Sequence, residues 1–162
     1  MRTISVAIAT YNGYKYICEQ LNSILRQSIK VNEIVICDDN STDLTIEVAD
    51  TLLKEAHVSY RIISHSKNLG VSRTFHDAIY ACKGDIIFLS DQDDVWDERK
   101  VEYFVRKFEE GYQVYLCLSN AMITDEYLTQ LGTTQWQAIN FSAELCSTKE
   151  ELFSELLRRN IF

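Results

Sequence analysis

Apolar residues fall along this chain in short runs whose period switches between that of a strand and that of a helix. Ile4 to Ala9 is a β-branched apolar run closed by Thr10-Tyr11-Asn12-Gly13, which predicts a buried strand ending in a turn. Beyond it, Ile17, Leu21, Ile24 and Leu25 stand at the i, i+4, i+7 and i+8 spacing that gathers side chains on one helical face. Glu33 to Cys37 is a second strand. Asp38-Asp39-Asn40-Ser41-Thr42-Asp43 then supplies turn and cap residues for a helix burying Ile46, Ala49, Leu53 and Ala56. Val58 to Ser64 predicts a third strand, and Asn68-Leu69-Gly70 leads into a helix with Val71, Phe75, Ala78, Ile79 and Cys82 inward. Gly84 is expected to end that helix as a left-handed cap. A strongly apolar strand from Asp85 to Ser90 runs into the acidic cluster Asp91-Gln92-Asp93-Asp94. Asp97 should cap the next helix, burying Val101, Phe104, Val105 and Phe108 and ending at Gly111, with a further strand from Val114 to Leu118. Ser147 and Glu150 have the spacing of a capping box ahead of Leu152, Phe153, Leu156 and Leu157.

Strand and helix alternate, which predicts an α/β fold: a mostly parallel sheet with helices on both faces. With 162 residues and 46% hydrophobic composition there is material for one sizeable core, so a single domain over 1–162 is expected. The net charge of -8 argues against nucleic acid as a partner, because phosphate-backbone binding depends on clustered Lys and Arg. A small anionic ligand stays open if a cation bridges it to the carboxylates. The five cysteines are odd in number, widely spaced and without a CxxC pair, so they suggest reduced thiols in a cytoplasmic protein. The first residues enter a strand at once, without the apolar stretch of a signal peptide or membrane span.

In open α/β sheets ligands bind at the carboxyl ends of the strands. Three polar clusters fall there: Thr10 to Gly13, Asp38-Asp39, and Asp91 to Asp94. Carboxylates this dense repel one another unless neutralised, and a hard divalent cation, Mn²⁺ or Mg²⁺, does so with oxygen ligands. Each cluster also has a plainer reading as turn or cap residues, as Trp96 has as a core or rim aromatic. Lys67 and Arg73 flank Asn68 and Gly70 at the mouth of a predicted strand, within reach of a ligand phosphate or base. His57, His65 and His76 show no metal-ligand spacing and are assigned to the surface or to helix faces.

The segments Ser5 to Gly13, Glu33 to Asp43, Asn68-Leu69-Gly70 and Gly84 to Asp94, in this order, resemble the inverting glycosyltransferases of family 2, which have the GT-A fold. Leu89-Ser90-Asp91-Gln92-Asp93-Asp94-Val95-Trp96 is similar to rhamnosyltransferase-type members that build bacterial surface polysaccharides. The resemblance implies a UDP- or dTDP-sugar donor and a saccharide or lipid-linked acceptor. It implies that Thr10, Tyr11, Asn12, Asp38, Asp39, Asn68, Arg73, Asp91 and Gln92 bind the nucleotide, with Asp39 accepting from a pyrimidine ring N–H. Asp91-Gln92-Asp93 matches the DxD motif, so the cation is expected on Asp91, Asp93 or Asp94. Members continue past this point through an acceptor-binding half, so the chain is expected to be cut short and the catalytic base to lie beyond Phe162. Asp125 and Glu126 are the late acidic pair considered for that base, at a position where members have a strand-edge turn. A homodimer and peripheral association with the inner face of the plasma membrane are left open, and a non-catalytic nucleotide-sugar-binding or assembly module is the alternative. A phosphoacceptor receiver domain is set aside because its acidic pair would follow the first strand. A haloacid-dehalogenase phosphatase is set aside because Val95 stands where its motif needs Thr.

Overall fold

The computed structural model describes residues 2–110 and 116–142. The chain divides after residue 114 into two compact units. In the first, β1 (Ile4–Thr10), α1 (Ile17–Leu25), β2 (Glu33–Asp38), α2 (Thr45–Ala56), β3 (Ser59–Ser64), α3 (Val71–Ala81), β4 (Ile86–Ser90) and α4 (Lys100–Glu110) follow in order. The strands form one parallel sheet in the order β3-β2-β1-β4. The chain therefore builds outward from β1 on one side, then crosses back to add β4 on the other. Connections leaving in opposite directions open a crevice at the carboxyl ends of β1 and β4, the switch point where such sheets bind ligands.

Why the sheet is covered on both faces follows from the period-two pattern of its strands. Ile4, Val6 and Ile8 join Ile34, Ile36, Ile86 and Phe88 on one face, against Ile17, Leu21 and Ile24 of α1, Ala49 and Leu53 of α2, and Val101 and Val105 of α4. The opposite face carries the smaller Ala7, Val35 and Cys37, which pack against Ala78 of α3. The expected α/β fold with helices on both faces is thus the observed one. Asp97 stands in the turn that leads into α4, its Oδ1 accepting from Arg99 N at 2.9 Å and its O from Lys100 N at 3.0 Å.

Gly84 departs from its expected role. The helix α3 ends in an extended Cys82, φ -67 and ψ 148, and Gly84 is not among the left-handed glycines. Space explains it instead: a Cβ there would lie 2.6 Å from Ser5 N and 2.7 Å from Ser5 Oγ. Gly84 N donates to that Oγ at 2.8 Å, tying the entry of β4 to β1.

In the second unit, β5 (Met122–Thr124) and β6 (Gln130–Thr134) pair antiparallel and lead into the one-turn helix α5 (Gln135–Ala138). Thr134 and Gln137 close a capping box on α5, and Trp136 meets Phe141 edge-on at 5.0 Å between ring centroids. Leu116 to Leu118, expected as the end of a strand, form none. Gly111, Val114 and the segment from Ser147 to Leu157 lie outside the described residues. Among those described, no helix is long and apolar enough to cross a membrane.

Candidate functional site

A cavity of about 510 Å³ opens at the carboxyl ends of the strands, beside the start of α3. Thr10 reaches it from the end of β1 and Tyr11 from the loop after it, Asp39 from the loop after β2, Asn68 and Gly70 from the loop before α3, and Asp91, Gln92 and Asp93 from the loop after β4. Seven of the residues expected at a ligand site therefore meet in one place, drawn from segments up to 83 positions apart (Thr10 to Asp93).

The two adjacent aspartates after β2 have separate tasks. Asp38 is 2% exposed and does not line the cavity. Its Oδ1 accepts from Thr10 Oγ1 at 2.8 Å and its Oδ2 from Ser41 N at 2.8 Å, so it fixes the turn. Asp39 accepts from His65 Nδ1 at 2.8 Å and Leu69 N at 2.7 Å through Oδ1, and from Gly70 N at 2.8 Å through Oδ2. Burial opposes the charge on Asp39, but these donors outweigh it and hold the carboxyl below the ordinary carboxylate range. A lone pair on Oδ2 remains as the acceptor this residue can offer.

The sequence assigns His65 to the surface or a helix face, whereas the structure sets it behind Asp39 with its side chain 8% exposed. Its Nε2 lies 3.1 Å from Asp77 Oδ2, so the ring stands between two carboxylates with an acceptor facing each nitrogen. The bond to Asp39 raises its pKa most, against the opposing effect of burial. Nε2 also lies 3.4 Å from Cys37 Sγ, whose thiol burial pushes up to about 11 and so keeps neutral. The available signal was position: His65 directly follows β3, at the same sheet end as the acidic clusters.

Arg73 does not line the cavity; its Nε donates to Asp77 Oδ2 at 2.8 Å, the first cause holding the Asp77 carboxyl down at about 2. Asn12 is also a loop clamp, with a left-handed φ of 48. Its N donates to Ser41 Oγ at 2.8 Å and its Oδ1 accepts from Thr42 N at 2.9 Å, fastening the loop after β1 to the loop after β2.

In the acidic turn, Asp91 and Asp93 line the cavity and Asp94 does not. The Asp91 carboxyl is raised above its ordinary range, by loss of hydration first and then by the charges of Asp94 and Asp93. Asp94 is raised by loss of hydration, against the pull of Lys100, whose ammonium sits 4.3 Å from the Trp96 ring centroid. Among the described residues no three His, Cys, Asp or Glu side chains converge closely enough to cage a metal ion. Two cavity carboxylates without a cationic partner among the described residues are nevertheless what a Mg²⁺-like ion uses when ligand phosphates complete its shell. The residues present fit such an ion. From beneath, the buried Gln20 of α1 bonds the Ser90 side chain, and with its amide turned to satisfy both ends it also takes the Trp96 indole N–H at 3.2 Å.

An open parallel sheet with acidic residues collected at its switch point defines an α/β domain whose cavity lies at the carboxyl ends of its strands. The sequence model described as glycosyl transferase family 2 matches residues 5–156, and the chain belongs to that family. Its fold is the GT-A fold. The Escherichia coli UDP-Glc:alpha-D-GlcNAc-diphosphoundecaprenol beta-1,3-glucosyltransferase WfaP is 31% identical over 156 residues, 91% of this chain and 60% of the relative. S. aureus TarS 1-349 in complex with UDP superposes with a TM-score of 0.61 at 26% identity, covering 67% of this chain and 32% of TarS. The mannosyltransferase PcManGT from Pyrobaculum calidifontis, in complex with GDP-Man and Mn²⁺, has a TM-score of 0.60 at 23% identity, covering 78% and 37%. The chain spans from 15% to 60% of the length of the curated relatives it matches.

Proposed function

We propose that this chain binds a UDP- or dTDP-sugar together with Mn²⁺ or Mg²⁺, and serves inverting transfer of the sugar to a saccharide or lipid-linked acceptor in bacterial surface polysaccharide synthesis. One observation carries the reading: a single cavity offers a hydrogen-bonded acceptor carboxylate, Asp39, and at the β4 side two carboxylates, Asp91 and Asp93, that pair with no cationic side chain among the described residues. The first suits a pyrimidine ring N–H and the pair suits a cation on the diphosphate. Asp93 is preferred to Asp94 as a metal ligand because it lines the cavity, whereas the charge of Asp94 is opposed by Lys100. A cation on these carboxylates would stabilise negative charge on the departing nucleoside diphosphate. Tyr11, 47% exposed, gives the base an aromatic surface, and Asn68 an amide. The UDP bound to TarS and the donor named for WfaP support a uridine nucleotide. The segment Leu89 to Trp96 supports a rhamnosyltransferase-type member, and with it a dTDP-linked sugar.

Thermal unfolding with nucleotides tests this. UDP or dTDP with Mn²⁺ should raise the melting temperature, with about 2.7 kcal/mol added at 100 times the Kd. GDP should shift it less. Equal shifts in EDTA, or a GDP shift matching that of UDP, would overturn the reading.

A further inference from the structure

Gln92 stands between Asp91 and Asp93, yet its amide turns to the loop after β1. Its Oε1 accepts from Tyr11 N at 2.8 Å, and its Nε2 donates to Tyr11 O at 3.1 Å. Both polar backbone groups of one residue are thus met by one side chain, as a neighbouring strand would meet them. Backbone pairing between β1 and β4 stops at Ile8 and Ser90, so the amide takes up the ladder beyond its last rung. Tyr11 and Gln92 both line the cavity.

Gly13 leaves room for this pairing. It is not left-handed, so backbone freedom does not call for a glycine there. A Cβ at position 13, however, would lie 2.1 Å from Oε1 and 2.5 Å from Cδ of Gln92. Gly13 itself is anchored: its N donates to Thr45 Oγ1 at 2.8 Å, and its O accepts from Tyr16 N at 2.9 Å and Ile17 N at 3.0 Å. Of the two, the end of the Gln92 side chain is free to move, so any residue larger than glycine displaces the amide.

We infer that Gln92 is a positioning residue that couples the nucleoside side of the cavity to its cation side, with Gly13 as the gap that lets it do so. This rests on reading the cavity as a nucleotide and cation site. A cation drawing Asp91 and Asp93 into one arrangement fixes the residue between them, and through it the Tyr11 backbone. By linkage, nucleoside held at Tyr11 tightens the cation equally.

Uridine isolates the effect, because it has no phosphate to touch the cation directly. Its Kd is measured by NMR titration with and without Mg²⁺, which is diamagnetic, in the full chain and in Gln92→Ala, Gly13→Ala and the double variant. The wild type should bind uridine about fivefold more tightly with Mg²⁺, the low end of ordinary coupling. Each variant should lose that factor, and the double variant should lose no more than either single one. UDP with Mg²⁺ must bind the wild type, and failure there sinks the site reading and this inference with it. If UDP binds but Mg²⁺ leaves uridine affinity unchanged in the wild type, or the factor survives in the single variants, only the coupling is wrong.

Discussion

His65 Nδ1 donates to Asp39 Oδ1 across 2.8 Å, with side chains only 8% and 4% exposed. The contact joins the loop after β3 to the end of β2 and fixes which way the Asp39 carboxylate turns. Oδ1 is then filled by His65 and Leu69 N, and Oδ2 takes Gly70 N. The same ring reaches Asp77 on α3, which Arg73 and His76 also contact, at 2.8 Å and 3.0 Å. One histidine thus ties three elements together behind the cavity.

This network sets a direction for stability against pH. His65 holds its proton more tightly folded than unfolded, so its contribution is complete below the ordinary value of 6.5 and is lost as pH rises through the raised folded value. Asp39 and Asp77 behave in reverse: their contribution is present above the ordinary 3.8 and is lost as pH falls through their lowered values, about 2 for Asp77. The melting temperature of the wild type should be highest between the two ordinary values and decline on the alkaline side. His65→Gln, which carries no titrating proton, should flatten the alkaline decline. Melting curves that stay level for the wild type through the alkaline range would contradict the charged pair.

Asp39→Asn should be costly although it is nearly isosteric. Leu69 N and Gly70 N point at different oxygens of Asp39, so an amide must turn its NH₂ toward one of them. A buried donor left unmatched costs about 1–3 kcal/mol. Urea denaturation should show that loss, and calorimetry should show weaker UDP binding. Stability within about 0.5 kcal/mol of the wild type, the range of neutral surface changes, would mean the loop is held by something else.

The sheet could be read from the chain because its signals are local. The apolar run of β1 and the helical spacing of α1 to α4 lie within single segments, and placing polar clusters at strand ends needed only the general rule for such sheets. What could not be read depends on distant partners. Asp38 and Asp39 are the same residue type side by side, and only Thr10 and Ser41 on one side and His65 and Leu69 on the other tell them apart. His65 carries no spacing signal because its partners come from β2 and α3. Gly84 was read from its place after a helix, whereas the crowding that requires it comes from Ser5. The strands β5 and β6 escaped notice because Gln130, Thr133 and Thr134 give no apolar alternation.

Two glycines should fail for different reasons. Gly84→Ala places a methyl 2.6 Å from the Ser5 backbone nitrogen, an overpacking contact expected to cost about 1–3 kcal/mol. Adding Ser5→Ala should not rescue it, because that nitrogen stays. Gly70 has open space around it but a φ of +88 with a ψ of 156, a conformation essentially confined to glycine, so Gly70→Ala should cost about 1–3 kcal/mol through backbone strain alone. Urea melts of the three variants decide, and full rescue by Ser5→Ala would show that the hydroxyl is the obstacle.

Gln27 should prove one of the least replaceable polar residues of the first unit. It follows α1 and is fully buried, at 0% exposure. Its Oε1 accepts from Val101 N at 2.9 Å, a first-turn group of α4 that no helix bond satisfies. Its Nε2 donates to Asp97 O at 2.7 Å, so one amide holds both the end of the acidic loop and the start of α4. Leucine fills nearly the same volume and matches neither group. Val101 N is left buried and unpaired while Asp97 O keeps Lys100 N at 3.0 Å, which puts the expected loss for Gln27→Leu at about 1–3 kcal/mol. Arg99→Ala is the control, since Arg99 pairs with Glu102 at the surface and such pairs are worth about 0–1 kcal/mol. The start of α4 also positions the turn three residues before Asp97, so Mn²⁺ with UDP should bind Gln27→Leu more weakly at temperatures where the variant is still folded. Equal destabilisation of the two variants in urea would show that the Gln27 amide does not hold the loop.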